Sequence, residues 1–411
     1  MGAGDVGARG IGLVGTAFQP IVEIASGRVV AHEALSRFAD GGGAVAPDVA
    51  FAEAYASGRI ERVDADCLER AVDAAGGLGG RDAHELFLNV EPPTLWRSEL
   101  PAALRHGLPV TIEITERALA RDTGRLLGAI RRLRELGHAI AVDDLGAEPA
   151  TLALLPLIAP DVIKLDMALI RERPDRNAAR IMTAIADYAG HSEALVLAEG
   201  IENERQELMA RALGATLGQG WHYGRPRPAD EAARVATSPE ERTEWRAQVS
   251  RSARASARVD GSATPFELVG ASVEPRRADR ALLLQVSRFL EERAAAGGDS
   301  AVMLATFQRD SNVTPATRRR YEWLVDRGCL LTVFTVGEPA GLPAPAHSRV
   351  IAPDDRLAAE WDVIVLTADH AAALTAREVD PGGHPGSDYD FVLTTDRDLV
   401  TRAALALFTS D

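Results

Sequence analysis

In the first half of the chain, short apolar runs end repeatedly in side chains that can hold a cation or move a proton. Glu33 lies in RVVAHEAL, Asn89 follows LFL, and Glu113 and Glu116 lie in VTIEITE. Asp143 and Asp144 end AIAVDD, Lys164 and Asp166 sit in VIKLD, Glu199 ends ALVLAE, and Gln219 lies in LGQGWHYGRP. Carboxylates gathered in one place repel one another unless positive charge neutralises them. The simplest neutraliser is one or two hard divalent cations, Mg2+ or Mn2+, which prefer oxygen ligands. No His or Cys cluster with metal-ligand spacing competes for that role. Two such ions a few ångströms apart activate water and stabilise the leaving oxygen of a phosphodiester. Singly, each residue has an ordinary structural role: a carboxylate after a strand caps a helix, and a buried lysine neutralises a neighbour. It is their recurrence together that points to a site.

The elements that must position these groups are short. FQPIVEI and RVVAHEAL read as the first two strands, with Ala25, Ser26 and Gly27 as the turn between them. LFLNV, VTIEIT, AIAVDD, DVIKLD and ALVLAEG are further strand-like runs. The stretches between them, such as RLLGAIRRLRELG, place apolar residues at helical spacing and stop at a glycine. Repeated strand–helix–strand units imply an α/β fold with a parallel sheet and covering helices. Seven or eight units predict a closed TIM-type (β/α)8 barrel, in which the carboxyl ends of the strands converge on one face.

At 411 residues the chain suits two domains. A formal net charge of -15 argues against general nucleic-acid binding, since phosphate-rich partners are repelled. A small phosphate ligand held through metal ions escapes that objection. Cys67 and Cys329 give no disulfide framework or zinc spacing and fit a reducing compartment. The Gly-rich start lacks the apolar core of a signal peptide, and no apolar run reaches membrane-spanning length, so the expected location is the cytoplasm. The expected organisation is a flexible tail over residues 1–15, a barrel over 16–236, a charged connector over 237–262 and a second, smaller α/β domain over 263–411. In that second domain, ADRALLLQVSRFLEERAAAG, TPATRRRYEWLVDRG and DLVTRAALALFTS read as helices. SAVMLATFQ, LLTVFTV, SRVIAP, WDVIVLTAD and YDFVLTTD read as strands.

The first-half motifs resemble the EAL family of cyclic-di-GMP phosphodiesterases. Glu33-Ala34-Leu35 stands where the family's signature stands, followed in the family's order by FLNV, IEITE, VDDLG, IKLD, AEGIE and GQGWHYGRP, over residues 16–230. The resemblance implies a TIM-type barrel and Mg2+- or Mn2+-dependent hydrolysis of cyclic-di-GMP to linear pGpG. It implies that Glu33, Asn89, Glu113 and Asp143 are the core metal ligands, with Asp144 at the second metal. It places Lys164 near the attacking water and gives Glu199 the role of general base or second-metal ligand. Glu116 orders the loop after the aspartate pair, and Arg37 contacts a ligand phosphate. Gln19, Gln219 and Glu202 match polar positions of the nucleotide and metal site. A homodimer is also implied. Two departures stand out. The family's Asp-Asp-Phe-Gly-Thr-Gly-Tyr-Ser-Ser loop reads Asp143-Asp144-Leu145-Gly146-Ala147-Glu148-Pro149-Ala150-Thr151, in which Pro149 stiffens the backbone and Glu148 adds charge. EALLR reads Glu33-Ala34-Leu35-Ser36-Arg37. A silent cyclic-di-GMP receptor and a protein-interaction scaffold are the competing readings; the first draws on the altered loop, and the second must explain why the ligand set is intact.

The second domain is similar to the DICT sensory family, on FELVGASVEPRRADRALLLQVSRFLE, MLATFQRDSNVTPATRRRYEWLVDRG and WDVIVLTADHAAALTARE. It shows no nucleophile elbow, phosphate loop or paired catalytic carboxylates, and His347, His370 and His384 lack ligand spacing. Its expected role is regulatory, with a ligand or protein partner that the sequence does not identify. Within the run Arg318-Arg319-Arg320, alternate arginines are expected to face solvent while Tyr321, Trp323 and Leu324 pack.

Overall fold

The structure is a computed structural model. It describes residues 11–78, 85–105, 110–115, 122–143, 145, 150–166, 176–192, 194–232, 263–339, 341–367, 370–379 and 388–409. The expected connector over 237–262 lies outside them.

β1 (Gly12–Glu23) and β2 (Arg28–Asp40) form an antiparallel hairpin that sets Gln19 opposite Glu33. Gly27 turns the chain at φ 70°, a conformation open to glycine without steric cost. β1 starts at Gly12, inside the segment expected to be a tail, because Gly12 and Leu13 pair with Ala39 and Phe38. β3 (Gly43–Val45) folds back on β2. Helices α1 (Pro47–Ala56) and α2 (Ile60–Ala75) follow.

The remaining strands of this sheet are β4 (Glu85–Asn89), β5 (Thr111–Thr115), β6 (Ala139–Asp143), β7 (Val162–Asp166), β8 (Leu195–Glu199) and β9 (Leu217–Gln219). Between them lie α3 (Thr123–Glu135), α4 (Ala150–Ile158), α5 (Arg176–Ser192) and α6 (Glu204–Ala212). β2 and β4 through β9 run parallel in sequence order, and β1 closes the barrel by pairing antiparallel with both β2 and β9. One of the eight barrel strands therefore runs against the rest. The turn over residues 25–27 is too short for a parallel return, which needs a crossover of a dozen residues or more.

Strand alternation explains where the site residues point. Ala31, Phe87, Ala141, Val162, Leu197 and Leu217 form a small apolar cluster distinct from the cluster under the outer helices. Two residues further along the same strands come Glu33, Asn89, Asp143, Lys164, Glu199 and Gln219. The same period carries Glu113 two residues beyond Thr111. An apolar plug inside the barrel thus supports a polar layer at the strand ends. The intervening Leu86, Leu88, Ile112, Ile114, Ile140, Val142, Ile163, Leu165, Val196 and Ala198 belong to the outer cluster.

The C-terminal sheet has seven strands: β10 (Arg276–Asp279), β11 (Ala301–Phe307), β12 (Leu330–Val336), β13 (His347–Ile351), β14 (Glu360–Thr367), β15 (Ala371–Glu378) and β16 (Asp388–Thr394), in the order β10-β16-β15-β14-β11-β12-β13. β11, β12 and β13 are parallel, and the other pairings are antiparallel. Its helices are α7 (Pro265–Gly270), α8 (Arg280–Gly297), α9 (Pro315–Val325) and α10 (Arg397–Thr409). Tyr321 and Leu324 are buried as expected, but Trp323 is not. One helical step of about 100° separates neighbouring residues, so Trp323 points away from the core. There Arg327 stacks 4.4 Å from its ring centre. Among the described residues no helix is long and apolar enough to cross a membrane.

Candidate active site

Six of the strand ends meet around one ammonium. Lys164 Nζ lies 2.7 Å from Glu113 Oε1, 2.7 Å from Glu199 Oε1, 3.3 Å from Asp143 Oδ2 and 3.7 Å from Glu33 Oε1. Glu33 is further held by Asn89 Nδ2 donating to Oε1 at 2.9 Å and Gln219 Nε2 donating to Oε2 at 2.6 Å. The layer is graded in exposure: Glu113 and Lys164 are fully enclosed, and Glu199 opens to solvent at 22%. A cavity of about 220 Å³ sits over it, lined by Gln19, Glu33, Glu199, Gly200, Glu202, Gln219, Gly220 and Trp221.

The expected site residues divide accordingly. Glu33, Asn89, Glu113, Asp143, Lys164, Glu199 and Gln219 converge. Gln19 and Glu202 line the cavity, and Gln19 Nε2 also donates to Gly224 O at 3.2 Å. Arg37 Nη1 donates to the carbonyls of its own strand, Leu35 at 3.3 Å and Ser36 at 3.1 Å. Glu116 and Asp144 lie outside the described residues. Leu145, between Asp144 and the rest of the altered loop, is fully buried. Sequence reasoning missed Trp221, which is 57% exposed at the cavity wall with Arg225 stacked 4.1 Å from its ring centre. The tryptophan stood inside a quoted motif, but only its exposure shows that it faces the cavity.

The charges are frustrated. Burial disfavours the charged form of Glu33, yet Lys164 and the two amide donors outweigh it and hold its carboxyl below the usual range. Burial, then Glu33, pushes Glu113 well above that range despite Lys164. Burial pushes Glu199 up to about 8, opposed by Lys164 and reinforced by Asp143 and Glu33. The Lys164 ammonium resists its own burial because Glu113 and Glu199 hold it charged. Four carboxylates thus share one internal cation, and the proton affinity of Glu113 and Glu199 is raised.

This donor set fits a hard divalent ion. It offers oxygen only, carries excess negative charge, and includes Glu113 Oε2, a buried acceptor without a hydrogen-bond donor. Among the described residues no three acid, histidine or cysteine side chains form a ready cage, since Lys164 Nζ itself stands between the carboxylates. Such an ion competes with protons for Glu113 and Glu199, whose proton affinity is raised. The sign of the pH dependence follows. Folded protein retains the Glu199 proton that the unfolded chain loses near 4.5, so this group's contribution to metal-free stability declines as pH rises through about 8. Metal binding is favoured in the same direction. The rise in melting temperature caused by Mn2+ should be larger at pH 8 than at pH 6, by roughly 3 °C or more. Equal rises in paired melts at the two pH values would contradict this charge assignment.

The cavity wall is made by close backbone packing. Gly220 adopts φ 149°, and a Cβ there would stand 2.1 Å from Ile201 O and 2.4 Å from Ile201 N. The two segments are joined by Ile201 N donating to Gln219 O and His222 N donating to Ile201 O, both at 3.0 Å. Gly220→Ala should cost about 4 kcal/mol or more, because the colliding atoms are backbone. A melt within 2 °C of native would refute that, on the scale of about 2–4 °C per kcal/mol.

Residues 11–226, more than half of the chain, match the family model described as the EAL domain. The chain belongs to the EAL family. Residues 267–379 match the DICT model, described as a sensory domain in diguanylate cyclases and two-component systems. The EAL region is 29% identical over 229 residues to the probable cyclic di-GMP phosphodiesterase PdeB of Escherichia coli, covering 53% of this chain and 44% of that protein. It is 31% identical over 223 residues to the cyclic di-GMP phosphodiesterase NbdA of Pseudomonas aeruginosa, covering 51% and 28%. The chain therefore spans less than half the length of these curated relatives. Among solved structures, the manganese/cy-diGMP complex of Klebsiella pneumoniae BlrP1 is 29% identical with a TM-score of 0.45, covering 53% of this chain and 59% of that one.

Proposed function

We propose that this chain hydrolyses cyclic-di-GMP to linear pGpG with Mg2+ or Mn2+, under control of its DICT domain. The observation that carries the reading is the convergence of Glu33, Glu113, Asp143 and Glu199 on Lys164 at the strand ends of an EAL barrel. In it, Glu33, Asn89, Glu113 and Asp143 hold the metal, with Asp144 at a second ion. When bound, the metal supplies a Lewis acid that activates water and stabilises the leaving oxygen.

The chain's own groups do the rest. Glu199, at the cavity wall with a raised proton affinity, accepts the proton of the attacking water. Lys164 offsets the charge that builds on phosphorus-bound oxygens, with no reorganisation because four carboxylates already hold it in place. Oxygen from water bonds to phosphorus, the P–O3′ bond breaks, and the 3′ oxygen takes a proton from solvent as Glu199 releases the one it accepted. Gln19, Glu202 and Arg37 orient the dinucleotide, and Glu116 steadies the loop beyond Asp144. We place the reaction in the cytoplasm and expect a homodimer. Incubation with cyclic-di-GMP and Mn2+, followed by chromatography, should yield pGpG, and excess EDTA should abolish it. Binding without product would make the chain a receptor instead.

A further inference from the structure

From residue 152 to residue 158, helix α4 is apolar all the way round. Leu152, Ala153, Leu154, Leu155, Leu157 and Ile158 are each 3% exposed or less. By contrast α3, its neighbour in the coat of the barrel, exposes Arg125, Arg131 and Glu135. A helix buried on every side needs a cover on both. The inner cover of α4 is the barrel. Its outer cover is the C-terminal domain, where it packs on β11, β14 and the turn Gly298–Ser300 and meets α10. On those strands Val302, Leu304, Ile364 and Leu366 share one continuous apolar cluster with the α4 leucines. The alternating Met303, Ala305, Val363 and Val365 belong to a separate cluster on the opposite face, with Leu283 and Leu290 of α8. So α4 is core to both domains.

Its position in the chain gives this packing a consequence. Asp143 and Leu145 precede α4, and β7 with Lys164 follows it. The exit is fixed: Asp161 Oδ2 accepts from Ile140 N at 2.8 Å, and Asp161 O accepts from Leu195 N at 3.0 Å. The α4 leucines share one apolar cluster with Val142, Ile163 and Leu165, the neighbours of Asp143 and Lys164 on β6 and β7, so a shift of α4 bears on both strand ends.

We propose that the DICT sheet is a positioning component of the metal site, holding α4 and through it Asp143 and Lys164 in register with Glu33 and Glu113. This rests on the metal-site reading above. Loss of the sheet's grip loosens α4 and weakens metal binding, since groups that orient ligands change affinity by about 10–100-fold. A signal that alters the sheet thereby alters the metal site without touching it.

The full chain supplies its own controls. At Gly124, where α3 meets the C-terminal domain, an added Cβ would lie 3.2 Å from Phe408 Cδ1 and 3.4 Å from Arg349 Nη1. At Gly128, one turn on, it would meet nothing within 4 Å. Gly124→Tyr should wedge the seam, Leu366→Ala should hollow the cover over α4, and Gly128→Tyr should do neither. Hydrogen exchange over residues 150–158 and calorimetric Mn2+ affinity are read on each. The expected result is faster exchange and roughly tenfold weaker Mn2+ binding in Gly124→Tyr and Leu366→Ala, with Gly128→Tyr like native. If neither seam variant speeds exchange, the sheet does not hold the helix. If exchange speeds up and Mn2+ affinity stays, the helix does not position the ligands. Either result overturns the proposal. Native chain that binds Mn2+ but leaves cyclic-di-GMP intact removes the proposed reaction and leaves this coupling standing.

Discussion

Glu33→Ala should lower cyclic-di-GMP turnover by about a thousandfold or more while the barrel stays folded. Glu33 is held below the usual carboxylate range while burial pushes Glu113 and Glu199 up, so it is readier than either to bind a cation at neutral pH. It also organises its surroundings. Asn89 and Gln219 both donate to it, and its removal frees two amides that are then aimed at nothing. The fold should survive, because the apolar plug beneath does not depend on Glu33 and the change relieves repulsion with Glu113. Turnover assays and thermal melts on the purified variant check both parts. A variant that retains more than a tenth of native turnover would contradict the assignment.

Lys164→Met should also disable turnover, by about a hundredfold or more, but with the opposite sign on metal affinity. The ammonium is the internal counter-ion of four carboxylates, and it competes with a divalent ion for the same oxygens. Without it, metal-free protein must protonate its acids or tolerate unpaired buried charge, which is costly. Mn2+ should then bind at least as tightly as to native protein and should raise the melting temperature more. Calorimetry with melts in EDTA and in Mn2+ separates the cases. Loss of Mn2+ binding in Lys164→Met would show that the lysine supports the metal site rather than competing within it.

The strand ends were the most legible part of the chain. Every run from LFLNV to ALVLAEG forms a strand, since buried parallel strands read as continuous apolar stretches ending in polar residues. Other features depend on tertiary context. β15 reads AAALTARE, in which alanine has no preference for a strand, and only the pairing with β14 and β16 on either side makes it one. β10, with Arg276 and Arg277, lies at the sheet edge and carries no apolar alternation to betray it. The reversed direction of β1 was implicit in the short turn at residues 25–27. Within the site, the carboxylates could be named from position, but not their unequal proton affinities. Those arise from burial and from which oxygen faces Lys164 or Gln219. The apolar outer face of ATLALLPLI was visible in the letters, yet only the packed structure shows that the sheet carrying Leu304 and Leu366 covers it.

These features describe one unit rather than a barrel with a passenger. The plug residues set the height of the polar layer, Lys164 holds its carboxylates together, and α4 ties its geometry to the second domain. The direct test is to titrate Mn2+ into metal-free native chain with cyclic-di-GMP present and to follow bound metal and pGpG in the same samples. Turnover should rise in step with bound Mn2+ and level off when one or two ions are held per chain. Full occupancy without pGpG, or pGpG formed while no Mn2+ is bound, would contradict a metal-dependent phosphodiesterase at this site.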